Sequence, residues 1–357
     1  MSIRADIHIP LLPSGVGSVS GTDPAEAVTQ ILERYWRLPF WPQLPNRDPL
    51  EMMIPQFGLS LPGASWDAEA HLLQWSGEIS EPALNHAGLP LPDRAAGLHE
   101  FLARLEAMPA DDRATITKGQ LPGPLTLSMA MRDPNGRQPH EDPETLLWLA
   151  AFLGRMGAAQ AQAFQRLGMK ACILFDEPAL AYVDEPSLPI PWRDANNALR
   201  AALEPVQQLG AIAGLHCCQP PDWTRALQSR PSMIHFDATE GRVEDVVEHK
   251  SAIREHVARG GYLGWGLWPT DGPQPEPFDS KERQYYLARA ARDLSFVDAS
   301  VGLIFKRSLI SGACGTAGLA PEDEATMAQD LEDLSMGIRR RYWIAASTDV
   351  DPDHPLT

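Results

Sequence analysis

A histidine and two cysteines carry the most informative chemistry in this chain. His216 and Cys218 stand two residues apart, Cys314 lies far downstream, and each follows a stretch that reads as a buried strand. Imidazole and thiolate donors together select Zn²⁺ over harder cations such as Mg²⁺ or Ca²⁺. An H-x-C pair in extended or turn backbone can place both donors on one ion, so the pattern points to a catalytic zinc site. Asp237, at the end of the next strand, offers a fourth, oxygen ligand, and Glu240 competes with it. A carboxylate there equally suits a helix cap or a substrate amine. Cys217 alternates with His216 and Cys218 and so points away from a site they share. Cys172 lies inside an apolar run and reads as a small core residue. Asp176 and Glu177 close another apolar strand, a poor place for an unpaired structural carboxylate, and both are taken as substrate-facing. A second Asp-Glu-Pro at residues 184–186 falls in a loop, so the tripeptide alone carries little weight.

The elements that must position these side chains follow a simple rhythm. Short apolar runs alternate with longer helical patterns, the signature of a parallel sheet with crossover helices. Strands are predicted at 169–175, 211–215, 232–236, 262–266 and 301–309, with three weaker ones at 14–19, 38–44 and 116–127. Helices are predicted over 143–167, 193–209, 243–258, 280–294 and 321–342, with a short one after Pro221. Asp142 and Pro143 suit the N-cap and first helical position of the first of these, and Gly168 stops it. Eight βα units in 357 residues, 44% of them hydrophobic, predict one α/β domain over residues 1–357. The expected architecture is a single (β/α)8 TIM barrel with N-terminal additions, and an open doubly wound sheet is the alternative. Barrel active sites lie where strands run into the following loops. Asp176, His216, Cys218, Asp237 and Cys314 all fall at such places.

Bulk charge narrows the partners. With 47 acidic against 30 basic side chains the formal net charge is −17, which opposes binding to a phosphate backbone or an anionic membrane surface. Neither nucleic acid nor a membrane is expected as a partner. No apolar window is long enough for a span, residues 1–10 contain no signal-peptide core, and a cytoplasmic protein is expected. Four cysteines are too few for a disulfide framework and suit a reducing compartment.

Several motifs in order resemble a known family. Phe175-Asp176-Glu177-Pro178-Ala179-Leu180, then His216-x-Cys218, then Cys314-Gly315 are similar to the catalytic barrel of cobalamin-independent methionine synthases, in the superfamily of uroporphyrinogen decarboxylase. Val16-Gly17-Ser18, Gly123-Pro124-Leu125-Thr126, Gly264-Trp265-Gly266 and Pro269-Thr270 extend the resemblance over nearly the whole chain. Long members carry two barrels, and this chain has room for the C-terminal catalytic one, as in the short, core form. The resemblance implies that His216, Cys218 and Cys314 bind zinc and that Asp237 stands near the family's glutamate ligand, one methylene shorter. It implies that Asp176 holds the amino group of homocysteine and that Ser18 lies where the amino-acid carboxylate binds. A second amine-binding glutamate of the family belongs near Gln43 or Leu44, where this chain has no carboxylate.

The implied activity is zinc-dependent methyl transfer to a thiol, with homocysteine as acceptor and a methylated corrinoid or methyltetrahydrofolate as donor. No D-x-H-x-x-G pattern is present, so a corrinoid would come from outside the chain. Three other functions fit parts of the sequence: a metal-free decarboxylase of the uroporphyrinogen type, a non-catalytic barrel with a structural zinc, and methyl transfer to a thiol other than homocysteine.

Overall fold

The computed structural model describes residues 7–76, 81–239, 241–271, 280–297 and 300–342. Ten strands form among them: β1 Ile9–Pro13, β2 Ser65–Asp67, β3 Leu72–Gln74, β4 Ile116–Pro122, β5 Met131–Arg132, β6 Lys170–Asp176, β7 Ile212–Cys217, β8 Met233–Asp237, β9 Tyr262–Trp268 and β10 Arg307–Gly312. Seven pair in parallel in the order β1-β10-β9-β8-β7-β6-β4. The result is an α/β fold on a curled, TIM-barrel-like sheet flanked by helices.

The sheet does not close into the eight-stranded ladder expected of a barrel. Between β1 and β4 runs the extended segment predicted as a strand at 38–44, and it makes only single bridges, Gln43 to Ser18 and Phe40 to Lys118. Pro39, Pro42 and Pro45 explain the deficit, because a proline has no N–H to give to a ladder. What remains is spaced between them: Gln43 N donates to Gly17 O at 3.0 Å, and Lys118 N donates to Pro39 O at 2.8 Å.

Three other predicted strands move. The segment at 14–19 is the loop that follows β1. The one at 116–127 ends at Pro122, and Pro124 opens the helix Pro124–Met129. The one at 301–309 divides into the helix Val301–Lys306, whose Ser300 Oγ accepts from Leu303 N at 3.2 Å, and strand β10. A run of Val, Leu, Ile and Phe suits either state, and the cap decides it. The extra elements expected at the N-terminus are instead inserted after β1, where β2 and β3 pair antiparallel and β3 meets β5.

Helices begin and end where local chemistry requires. Asp142 accepts from Thr145 N at 2.9 Å at the start of Pro143–Arg166. In Trp192–Gln208 the buried residues Ala195, Ala198, Leu199, Ala202, Leu203 and Val206 recur with helical period, and this face packs on Pro143–Arg166. The helix predicted over 243–258 breaks at His249 into Val243–Glu248 and Lys250–Ala258. Among the described residues no helix is long and apolar enough to cross a membrane.

Strand alternation builds the interior in two layers. Ile9, Ile116, Cys172, Leu174, Ile212, Met233, Tyr262 and Leu309 form a closed apolar cluster on the inner face, toward the strand N-termini. Continuing by twos along the same strands, the inner face then presents Lys118, Asp176, His216, His235 and Ser311, all buried. The polar layer therefore sits on an apolar floor, at the end of the sheet where the strands run out.

Candidate metal centre

His216 is the penultimate residue of β7, Cys218 follows that strand directly, and Cys314 lies two residues beyond β10. One ligand atom from each lies within 4.8 Å of the other two. A tetrahedral zinc with bonds of about 2.0–2.3 Å spaces its donors by roughly 3.4–3.8 Å, so small side-chain turns would bring all three onto one ion. The donor set fits the metal chemically as well. His216 Nε2 is buried without a hydrogen-bond partner, a costly state for an imidazole nitrogen unless a ligand takes the lone pair. The two sulfurs lean on each other: the Cys314 contact lowers the Cys218 thiol, and the Cys218 contact together with burial raises Cys314. Both thiols must shed their protons to serve as metal ligands. Burial opposes charging His216, but the Cys314 thiol and the Asp176 carboxylate outweigh it and hold its pKa above the ordinary value.

Asp237 does not belong to this group. Its Oδ1 accepts from Thr239 N at 2.9 Å and from Thr239 Oγ1 at 2.6 Å, a local turn that holds the backbone leaving β8. The carboxylate lines a cleft with Cys218, Trp223 and Arg242. Glu240 lies outside the described residues. Asp237→Ala is therefore expected to leave metal content unchanged and to lower stability by about 1 kcal/mol through the lost turn. Metal analysis beside a thermal melt checks this, and loss of the metal would restore Asp237 as a ligand.

Glu177 turns inward. It is fully buried, and its carboxylate accepts from Leu125 N at 3.0 Å, from Thr126 N at 2.6 Å and from Thr126 Oγ1. These are the free donors at the start of the helix Pro124–Met129, so Glu177 ties that helix to the end of β6. Burial pushes its pKa up to about 7 against those bonds. Its neighbour Asp176 is different. Asp176 is buried with Oδ1 unpartnered, and burial raises its pKa to about 6 against the pull of His216 and Lys118.

Two further groups complete the inner layer without any sequence motif to announce them. Lys118, fully buried on β4, donates through Nζ to Val16 O at 2.6 Å and to Gln120 Oε1 at 3.3 Å. Burial lowers its pKa to about 8, and Asp176 works against that. His235 on β8 places Nδ1 at 2.7 Å from His216 Nδ1 and Nε2 at 2.7 Å from Ser311 Oγ. Burial, then the nearby His216 and Lys118, push its pKa well below the ordinary value. Gly264 makes this possible, because a Cβ there would run into the His235 ring. Counting by twos along β4 and β8 would have found both residues.

Ser18 is half-buried in the loop after β1. Thr316 N donates to its carbonyl at 2.8 Å, and a side chain on Gly315 would collide with its hydroxyl. Ser18 is thereby pinned beside Cys314, and both line a cleft with Tyr35, Phe40 and Glu324. Cys217 packs into the outer core, where burial pushes its thiol up to about 12. Gln43 is buried, and its Nε2 donates to Gln56 Oε1 at 2.6 Å.

No protein-family model matches the chain, and no curated protein matches it. Among solved structures, a B12-independent methionine synthase from Shewanella sp. W3-18-1, in complex with selenomethionine, is similar with a TM-score of 0.64 and 15% identity. The match covers 94% of this chain and 100% of that one. An L-ribulose 3-epimerase (TM-score 0.43, 14% identity, 77% of this chain and 96% of that one) and a fungal β-1,4-galactanase (0.42, 12%, 90% and 99%) are more distant. At 15% identity the likeness to the methionine synthase establishes a shared TIM-barrel-like α/β fold.

Proposed function

We propose that this protein is a zinc-dependent methyltransferase acting on a thiol, with homocysteine as the acceptor and a methylated corrinoid or methyltetrahydrofolate as the donor. The convergence of an unpartnered imidazole nitrogen and two sulfurs at the strand ends carries this assignment. His216, Cys218 and Cys314 would hold the ion. When bound, zinc supplies acidity: a coordinated thiol loses its proton at neutral pH, when a free one is mostly protonated.

The remaining work falls to the chain's own groups. Asp176, with an oxygen to spare, accepts from the acceptor's ammonium, and the charges of His216 and Lys118 favour its ionised form against burial. Ser18, pinned beside Cys314, presents a hydroxyl to the acceptor's carboxylate. Held at both ends, the sulfur meets the methyl group in line, and orientation of this kind lowers the barrier substantially. The sulfur lone pair forms the new S–C bond while the donor–methyl bond breaks and its electron pair stays with the donor. The fully buried Glu177 keeps the helix after β4 seated against the rim.

A different thiol is the second candidate acceptor, because the Gln43 side chain is occupied by Gln56 and offers no carboxylate to an amine. Metal analysis of the purified protein, then methyl transfer from methylcobalamin and from methyltetrahydrofolate to homocysteine, tests the assignment. Stoichiometric zinc with product formation supports it, and full activity after zinc removal overturns it. Asp176→Asn is expected to raise the acceptor KM by about 10- to 100-fold with kcat nearly unchanged, the loss of an ionic hydrogen bond of about 1.5–3 kcal/mol. Steady-state kinetics on homocysteine checks this, and an unchanged KM would remove Asp176 from the acceptor site.

A further inference from the structure

The geometry points to a buried hydrogen-bond relay, His216 to His235 to Ser311 to Gly312 O, that fixes the tautomer of His216 and leaves its Nε2 as a bare lone pair facing the two cysteines. His235 and Ser311 are then positioning residues for the metal ligand, and this rests on the metal-site assignment above.

The direction of the relay follows from its last link. Ser311 Oγ lies 2.7 Å from Gly312 O, a carbonyl that only accepts, and the relay assigns the single hydroxyl proton to that bond. Toward His235 Nε2, also at 2.7 Å, the same oxygen can act only as acceptor. His235 Nε2 therefore carries hydrogen. A second proton on Nδ1 would make a buried cation with no carboxylate among its hydrogen-bond partners, which is costly. Nδ1 of a neutral His235 is consequently a lone pair, and at 2.7 Å it must receive a hydrogen from His216 Nδ1. The proton of a neutral His216 is then on Nδ1, and Nε2, the atom without a partner, is free to bind an ion. A ligating histidine commonly donates its other N–H to an oxygen acceptor. Here a second imidazole fills that place, and its own orientation is set one residue deeper. Gly264 leaves room for the second ring, whose plane lies at 64° to that of His216 with centroids 4.7 Å apart.

The test begins with metal-free wild-type protein labelled with ¹⁵N-histidine, at a pH raised until His216, whose pKa lies above the ordinary value, is neutral. Long-range proton–nitrogen correlation, assigned against His216→Gln and His235→Gln, reads the tautomers without metal or substrate. Expected are hydrogen on Nδ1 of His216 and on Nε2 of His235; hydrogen on Nε2 of His216 overturns the relay. Zn²⁺ and Co²⁺ titrations follow. Ser311→Ala frees His235 to reverse, so His216 loses its single tautomer and both metals bind about 10- to 100-fold more weakly, with a weaker Co²⁺ thiolate band. Ser311→Thr restores the hydroxyl and the affinity. A folded Ser311→Ala protein with the wild-type tautomer and wild-type affinity refutes the relay. Wild-type protein that binds neither metal overturns the metal assignment, and the nitrogen spectrum still decides whether the relay exists.

Discussion

Replacing Cys314 by Ser is expected to take zinc content from about one ion per chain to a small fraction of that and to cut thiol methylation by about three orders of magnitude, or about 4 kcal/mol of barrier. Serine is nearly the same size, so the fold should survive. What is lost is a soft, ionisable donor that the group within 4.8 Å cannot replace from its remaining two members. Cys217→Ser provides the control, because Cys217 is packed in the outer core and belongs to no donor group. Atomic emission on both purified variants, with methyl transfer on the same samples, decides the matter. Wild-type zinc and activity in Cys314→Ser would end the metal assignment.

Glu177→Ala is expected to act on stability instead. The change strips the acceptor from Leu125 N, Thr126 N and Thr126 Oγ1 at one stroke and leaves three buried donors facing a void. Each orphaned donor costs about 1–3 kcal/mol, partly recovered by relaxation, so a net loss of about 3–5 kcal/mol follows. A melting temperature lower by roughly 5–10 °C with zinc content intact is the expected result. A raised acceptor KM at an unchanged melting temperature would instead return Glu177 to the substrate side.

These two residues also mark what could be read from the chain. His216, Cys218 and Cys314 were legible because strand ends in a parallel sheet lie on one rim, so soft ligands far apart in sequence had a place to meet. The partners of Asp237 and Glu177 were not, because a carboxylate at a strand end serves equally well as an acceptor for free backbone N–H groups, and only coordinates show which donors reach it. His235 and Lys118 escaped notice for a different reason. Neither belongs to a spacing motif, and their importance lies in which inward position of a neighbouring strand they oppose. The helix start at Pro143 was clear from cap chemistry. The segment at 38–44 misled because its apolar residues read as a strand while Pro39 and Pro42 deny it the bonds of one.

The greasy plug beneath the reacting groups has a consequence for proton traffic. Side chains of eleven residues, from Ile7 to Leu309, close the lower end of the cup, and hydrocarbon conducts neither water nor hydrogen ions. On the proposed chemistry, the proton that an arriving mercaptan sheds would leave upward, past Ser18 and Asp176, through the same opening that admits the reactants.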